Sequence, residues 1–246
     1  MKVTIIGYWG AYPAAGSATS GYLVEHNGYK LLVDCGSGVL SRLQQFIHVK
    51  DLDAVILSHY HNDHIADIGP LQYSWLVQNT LSGSEDVLPI YGHEENKAAF
   101  SQLSHQFTKG VAYLPEETLQ IGPFTIDFQR TNHPVPCFGM RISDGEDDLV
   151  YTADTSYFPE WASFAKHASL LITDTNFFKG MDGSGPGHMT SEEAASIAQE
   201  AKVETLWLSH LPHFGELTRL RQEAEDQFNG HIFVAKEGLT WKGSAQ

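Results

Sequence analysis

Five short apolar runs in the sequence end in, or just before, a histidine or an aspartate. The residues at these ends are, in chain order, His59, His133, Asp154, Asp174 and His210. The length and β-branched content of the runs predict strands. Because binding sites are assembled from loops at one edge of a rigid sheet, distant strand ends can converge if the sheets stack. The pattern therefore predicts an α/β protein with one site at a sheet edge.

The segments between these runs predict the remaining elements. GYLVEH and YKLLVDCG flank Asn27–Gly28, which is a strong hairpin signal. MRISDG and DDLVY form a second predicted hairpin. TSEEAASIAQEAK predicts a helix that opens with a capping box of Thr190 and Glu193. ELTRLRQEAEDQFN predicts another helix, and the middle section, 67–117, is expected to be mainly helical with loops.

Charge and composition restrict the function classes. The chain of 246 residues carries 15 Lys and Arg against 30 Asp and Glu, a formal net charge of -15. Such an acidic protein should repel polyanions, so a broad nucleic-acid surface is disfavoured. The two cysteines, Cys35 and Cys137, lie in apolar contexts and are expected to be buried thiols. We see neither a signal peptide nor a long apolar run, which predicts a cytoplasmic protein without a membrane segment.

The stretch SHYHNDHIADIG concentrates metal-binding side chains directly after a predicted strand. His59 and His61 are two positions apart, so an extended backbone places both on one face, where they can share a metal ion. Asp63 and His64 follow a turn and point elsewhere, where they can hold a second ion. Imidazole and carboxylate are ligands for zinc and similar divalent metals.

This stretch resembles the HxHxDH signature of the metallo-β-lactamase superfamily. RTNHPVPCFGMRI, VYTADTSY and LWLSHLPHF are similar in order and context to the segments that carry the remaining ligands in that superfamily. LLITDTNF and GHMTSEEAASIAQEAK further resemble the ribonuclease Z-like phosphodiesterase branch. The resemblance covers nearly the whole chain. It implies an αββα four-layer sandwich of two mixed β-sheets flanked by helices, which we expect to form a single domain over residues 1–246.

The resemblance also implies a dinuclear site. Its first ion would be held by His59, His61 and His133, its second by Asp63, His64 and His210, and Asp154 would bridge the two. Five histidines and two aspartates without a thiolate suit two divalent ions, zinc first and manganese or iron second.

The catalytic residues implied by the resemblance are Asp63, Asp174 and His188. A metal-bridging hydroxide would attack phosphorus, and His188, oriented by Asp174, would protonate the leaving oxygen. His213 is interpreted as a loop histidine, with a role behind the metal ligands as the alternative. The segment WGAYPAAGSATS is expected to form a turn beside the site.

One departure from ribonuclease Z concerns its transfer-RNA-clamping arm. That arm follows the histidine matched by His133 and precedes the aspartate matched by Asp154, where this chain has only an acidic hairpin sequence, MRISDGEDDLVY. The expected substrate is therefore a small phosphodiester or nucleotide, with RNA disfavoured. A homodimer is a further expectation from the resemblance.

Several other functions fit the same residues. A transfer-RNA 3′-end endonuclease of the ribonuclease Z type is one alternative. A thioester, lactone or β-lactam hydrolase is another, although a proton-donating His188 would have less to do in acyl chemistry. Iron redox or storage proteins of the superfamily usually carry a glutamate where this chain has His61, which disfavours that class. A binding module without catalysis is disfavoured because every expected ligand is present.

Overall fold

The computed structural model describes residues 1–243. The strands are β1 Lys2–Gly7, β2 Gly21–His26, β3 Tyr29–Val33, β4 Ala54–Ile56, β5 Leu88–Gly92, β6 Thr108–Ala112, β7 Leu119–Ile121, β8 Phe124–Arg130, β9 Phe138–Ser143, β10 Asp148–Tyr151, β11 Leu170–Asp174, β12 Thr205–Ser209, β13 His231–Val234 and β14 Thr240–Lys242. The helices are α1 Val39–Leu43, α2 Asn62–Ile65, α3 Ile68–Ser82, α4 Lys97–Ser101, α5 Glu160–Phe164, α6 Ser191–Ala201 and α7 Leu217–Glu225, with a short 3-10 helix at Val49–Asp51.

The strands form two mixed sheets of seven strands each. The first has the order β14-β1-β2-β3-β4-β5-β6 and the second the order β13-β12-β11-β10-β9-β8-β7. In both sheets antiparallel pairs give way to parallel pairs, at β3–β4 in the first and at β10–β11 in the second. Parallel neighbours direct their carboxyl ends to the same edge, which is where a shared site can form.

Strand periodicity explains how the layers are held together. In β3, Leu31 and Val33 join the apolar core between the two sheets, while Leu32 between them joins a separate core under α1 and α3. Successive side chains of a strand point to opposite faces, so each sheet buries both of its surfaces. Trp161 of α5 and Leu220 of α7 join the same core as residues of the second sheet, so these helices pack against that sheet. The predicted αββα arrangement of two mixed sheets is confirmed.

Most predicted elements are present, and both predicted hairpins form. The capping box of Thr190 and Glu193 opens α6 as expected. The expectation for 67–117 was wrong after α3, because β5 and β6 lie there as parallel strands. Periodicity could not reveal them, since LPIYG contains proline and TKGVA contains glycine and lysine.

The last strand, β14, was also not predicted.

Both cysteines are buried free thiols, as expected. None of the helices in residues 1–243 combines the length and the hydropathy that a membrane span requires. The single domain over residues 1–246 stays a prediction, since residues 244–246 lie outside the described part.

Candidate metal centre

The strand-end residues converge at one place between the sheets. One ligand atom from each of His59, His61, His133 and Asp154 lies within 4.8 Å of the others. The same holds for a second set, which consists of Asp63, His64, Asp154 and His210. Both clusters combine residues that are far apart in sequence, and Asp154 belongs to both.

The two carboxylate oxygens of Asp154 face different histidines. Oδ2 lies 3.6 Å from Nε2 of His59 and 3.8 Å from Nε2 of His133. Oδ1 lies 3.1 Å from Nε2 of His64 and 3.3 Å from Nε2 of His210. Ligand atoms around a tetrahedral zinc ion with bonds of about 2.0–2.1 Å are roughly 3.3 Å apart. The spacing at both oxygens therefore suits two ions that share one carboxylate.

Several polar atoms of the cluster are buried without a partner. Nε2 of His59, Nε2 of His64 and Oδ1 of Asp154 make no hydrogen bond within residues 1–243. The neighbouring ligand atoms lie 3.1–3.8 Å from these atoms, within ion-pairing distance. A buried polar group without a partner is costly, and a metal ion coordinated by these lone pairs removes that cost. The residues present therefore fit a metal centre.

Residues behind the cluster fix the orientation of the rings. Nδ1 of His64 lies 2.7 Å from Oδ2 of Asp34, and Nδ1 of His133 lies 3.1 Å from the carbonyl oxygen of Gly187. Because these oxygens only accept, each Nδ1 must carry the proton, and Nε2 keeps its lone pair for a metal. Nδ1 of His59 contacts Oγ of Ser58, which itself donates to Asp34.

Asp63 is held from the other side of the site by the loop after β1. The backbone N–H of Ala11 donates to Oδ2 of Asp63 over 2.8 Å, and Nε2 of His210 lies 3.2 Å from the same oxygen. The segment that contains Ala11 was expected to lie beside the site, and it does. Two of its hydroxyl groups, those of Thr19 and Ser20, are buried and find no hydrogen-bond partner among residues 1–243.

Asp174 and His188 form a third group that adjoins the second cluster. Oδ2 of Asp174 lies 2.7 Å from Nδ1 of His188, and its Oδ1 lies 3.4 Å from Nδ1 of His210. A ring nitrogen of His188 and a carboxylate oxygen of Asp154 are within 4.8 Å of each other. The structure thus brings together all the residues that the sequence predicted for the site.

The electrostatics reflect burial among closely spaced charges. Burial lowers the pKa of His59 well below its ordinary value. Burial alone would raise the pKa of Asp154, but the imidazoles of His210 and His64 hold it well below its usual range. Burial also opposes the charged form of His210, yet Asp154 and Asp174 outweigh it and raise its pKa to about 10. A doubly charged metal ion bound here would displace the protons that the histidine side chains would otherwise carry.

Sequence reasoning missed Asp34 and Glu223. Asp34 follows β3 directly, so the strand-end rule could have found it. Glu223, on α7, accepts from Oγ of Ser191 and from the backbone N–H of Lys179 over 2.8 Å. It fastens the segment that carries His188, and no local sequence signal indicates this role. His213 is a loop residue whose ring stacks on its neighbours.

Comparison with known proteins agrees with this geometry. The family model described as "Beta-lactamase superfamily domain" matches residues 29–211. The chain belongs to the beta-lactamase superfamily. The relative named "Probable metallo-hydrolase YhfI", from Bacillus subtilis, is 52% identical over 244 residues, which cover 99% of this chain and 100% of that protein.

Solved structures share this fold over nearly the whole chain. The crystal structure of the metallo-beta-lactamase fold protein YhfI from Bacillus subtilis superposes with a TM-score of 0.97 at 51% identity, covering 98% of this chain and 99% of that one. Human tRNase Z, short form, gives a TM-score of 0.77 at 19% identity, over 98% and 99% of the two chains. A diphosphatase from the PhnP family gives 0.78 at 18% identity, over 99% and 98%. The last two similarities establish the fold alone.

Proposed function

We propose that the protein is a metal-dependent hydrolase with two divalent ions that cleaves a small phosphodiester. The proposal rests on the position of the Asp154 carboxylate between two pairs of histidines. Its Oδ2 faces His59 and His133, and its Oδ1 faces His64 and His210. A carboxylate placed in this way could bridge two ions. The name of the Bacillus subtilis relative, a probable metallo-hydrolase, supports the same general activity.

The ligand assignment follows the two clusters. His59, His61 and His133 would hold one ion, Asp63, His64 and His210 the other, and Asp154 both. Nitrogen and oxygen donors without thiolate favour zinc, with manganese or iron as alternatives. When bound, two such ions act as Lewis acids, lower the pKa of a bound water and neutralise charge on a phosphoryl group.

The role proposed for His188 is to give a proton to the leaving oxygen. Burial lowers the pKa of His188, but the carboxylate of Asp174 outweighs burial and raises that pKa above its ordinary value, which favours the proton-carrying form of the ring. Since Nδ1 is held by Asp174, Nε2 is the nitrogen that can donate. A phosphodiester leaving group departs as an alkoxide, which needs such a donor, whereas the thiolate that leaves a thioester needs it much less.

The proposed substrate class is a small phosphodiester or a nucleotide rather than transfer RNA. The net charge of -15 opposes long polyanions. Between His133 and Asp154 the chain forms only the β9–β10 hairpin, where ribonuclease Z carries its arm. Two structural relatives are named as a diphosphatase and a tRNase, and both names refer to enzymes with phosphate-containing substrates, which is consistent with the proposal. A cytoplasmic location and a homodimer stay predictions from sequence.

Metal-dependent turnover tests the proposal. The purified protein is stripped with a chelator, refilled with zinc or manganese, and assayed with bis(p-nitrophenyl) phosphate, while elemental analysis measures metal per chain. We expect no turnover without metal, and turnover at full loading with two ions. Full occupancy with no phosphodiester turnover, combined with hydrolysis of a thioester or lactone, would overturn the phosphodiesterase assignment.

A further inference from the structure

Three aromatic rings are stacked beside the proposed metal centre. The ring centroids of Trp9 and His213 are 4.6 Å apart with an interplanar angle of 14°. Those of His213 and Tyr12 are 3.7 Å apart with an angle of 8°. His213 is therefore enclosed between two rings, and Tyr12 is the last ring of the stack.

The stack is fastened directly to residues of the centre. The backbone N–H of Ala11, the residue before Tyr12, donates to Oδ2 of Asp63 over 2.8 Å. Ala11 has φ of 63°, an unusual conformation for alanine that this contact helps to hold. Nε2 of His213 lies 2.6 Å from the carbonyl oxygen of Tyr12, so its N–H donates there. Tyr12 is thus held at a fixed place next to a proposed metal ligand.

The outer end of the stack is open. Tyr12 is 58% exposed, although its inner face is covered by His213. Phe214, which follows His213 in the chain, is 45% exposed. Its ring is 6.2 Å from that of Phe177, which is itself 6.3 Å from the ring of the proposed proton donor His188. Phe214 therefore lies one ring beyond the neighbour of the proposed donor, and Tyr12 follows the residue whose N–H binds Asp63.

We propose that Tyr12 and Phe214 form a stacking site for the nucleobase of the substrate. This inference rests on the proposed function and narrows its substrate class to a nucleotide phosphodiester. A base placed on the open face of Tyr12 would continue the existing stack. The acidic net charge of -15 favours a single nucleotide over a longer strand.

The size of the effect follows from stacking energies. Base–aromatic stacking is worth about 1–3 kcal/mol per base by alanine substitution, which is a change of about 5- to 150-fold. Tyr12→Ala should therefore lower kcat/KM by that factor for a nucleoside cyclic phosphate and leave kcat/KM unchanged for the same ribose cyclic phosphate without its base. Tyr12→Phe should retain the wild-type preference, because the phenyl ring also stacks.

Tyr73→Ala is the matched control, since Tyr73 is 63% exposed on α3, outside the site. It should leave kcat/KM unchanged for both compounds. An equal loss on both compounds in Tyr12→Ala would mean that the ring only supports the loop, and this would overturn the inference. Unchanged turnover of the nucleotide in a double variant of Tyr12 and Phe214 would overturn it as well.

A binding measurement separates this inference from the proposed function. AMP and ribose phosphate are titrated calorimetrically into the metal-loaded protein and its variants. Binding of AMP that weakens in Tyr12→Ala, without turnover of any phosphodiester, would remove the proposed activity and keep the stacking site. Turnover of phosphodiesters with equal binding of AMP in wild type and variant would keep the proposed activity and overturn the stacking site. Tighter Tyr12-dependent binding of an oligoribonucleotide than of AMP would overturn the assignment to a single nucleotide.

Discussion

Oδ2 of Asp34 lies 2.7 Å from Nδ1 of His64, and the same oxygen accepts from the hydroxyl groups of Ser58 and Tyr151. The backbone N–H of Ser58 donates to the other oxygen over 2.8 Å. Asp34 is fully buried, yet all these bonds satisfy it. It therefore sets the tautomer of His64 and anchors the segment that carries His59.

Asp34→Asn should weaken metal binding while the protein stays folded. The amide can replace only part of the accepting pattern, so the ring of His64 loses its fixed orientation. Removal of a partner behind a metal ligand typically costs about 10- to 100-fold in metal affinity. Competition with a chromogenic chelator measures the change. Asp53→Asn is the control, because Asp53 is an exposed carboxylate that accepts from a backbone N–H; an equal loss there would contradict the role of Asp34.

Asp154→Ala should lose metal and activity together. Removing Asp154 takes one oxygen from each ligand cluster and leaves the histidines without a shared anion. Elemental analysis and turnover of bis(p-nitrophenyl) phosphate check the two effects in one preparation. Thermal melting shows whether the variant is folded. Normal turnover at full metal occupancy would rule out the shared-carboxylate assignment.

His188→Ala should retain its metal but slow turnover most for substrates with poor leaving groups. A good leaving group such as p-nitrophenolate needs little protonation, whereas an alkoxide needs a donor. General acid catalysis typically contributes about 100- to 10,000-fold, which is the loss we expect for alkyl leaving groups. Rates for a series of leaving groups give the dependence. His105→Ala, at an exposed position, is the control, and an equal loss across the series would exclude the acid role.

Glu223→Gln should destabilise the protein in a pH-dependent way. Burial alone would raise the pKa of Glu223, but bonds from Lys179, Ser191 and Arg219 hold it below its ordinary value. A carboxyl whose folded pKa is lowered contributes stability above its unfolded pKa of about 4.3, and the contribution is lost as the pH falls through the folded value.

Denaturant unfolding at several pH values measures this effect. At neutral pH, the loss of the charged hydrogen bonds should cost about 1.5–3 kcal/mol in the free energy of unfolding. The difference between wild type and Glu223→Gln should shrink as the pH falls below about 4. A difference that stays constant over this range would show that charge on Glu223 is not the cause. Glu225→Gln, on the exposed side of α7, serves as the control.

The sequence allowed much of the site to be predicted, because ligand chemistry and strand ends are local properties. The side chains of HYHNDH are themselves metal-binding groups. Each apolar run predicts a strand, and the residue at its end is expected at a sheet edge. The strands β5 and β6 escaped prediction, since their patterns carry proline, glycine and lysine and their pairing comes from tertiary context.

The sequence by itself determined the ligand types, both hairpins and the capping box of α6, and its resemblance to the metallo-β-lactamase superfamily implied the stacked sheets. Only the tertiary structure decided which oxygen of Asp154 faces which histidine, that Asp34 supports His64, and that Tyr12 ends a stack beside Asp63. The physical reason is range. Propensity and periodicity act over a few residues, whereas these contacts join residues that become neighbours only when the two sheets pack and bury their shared core.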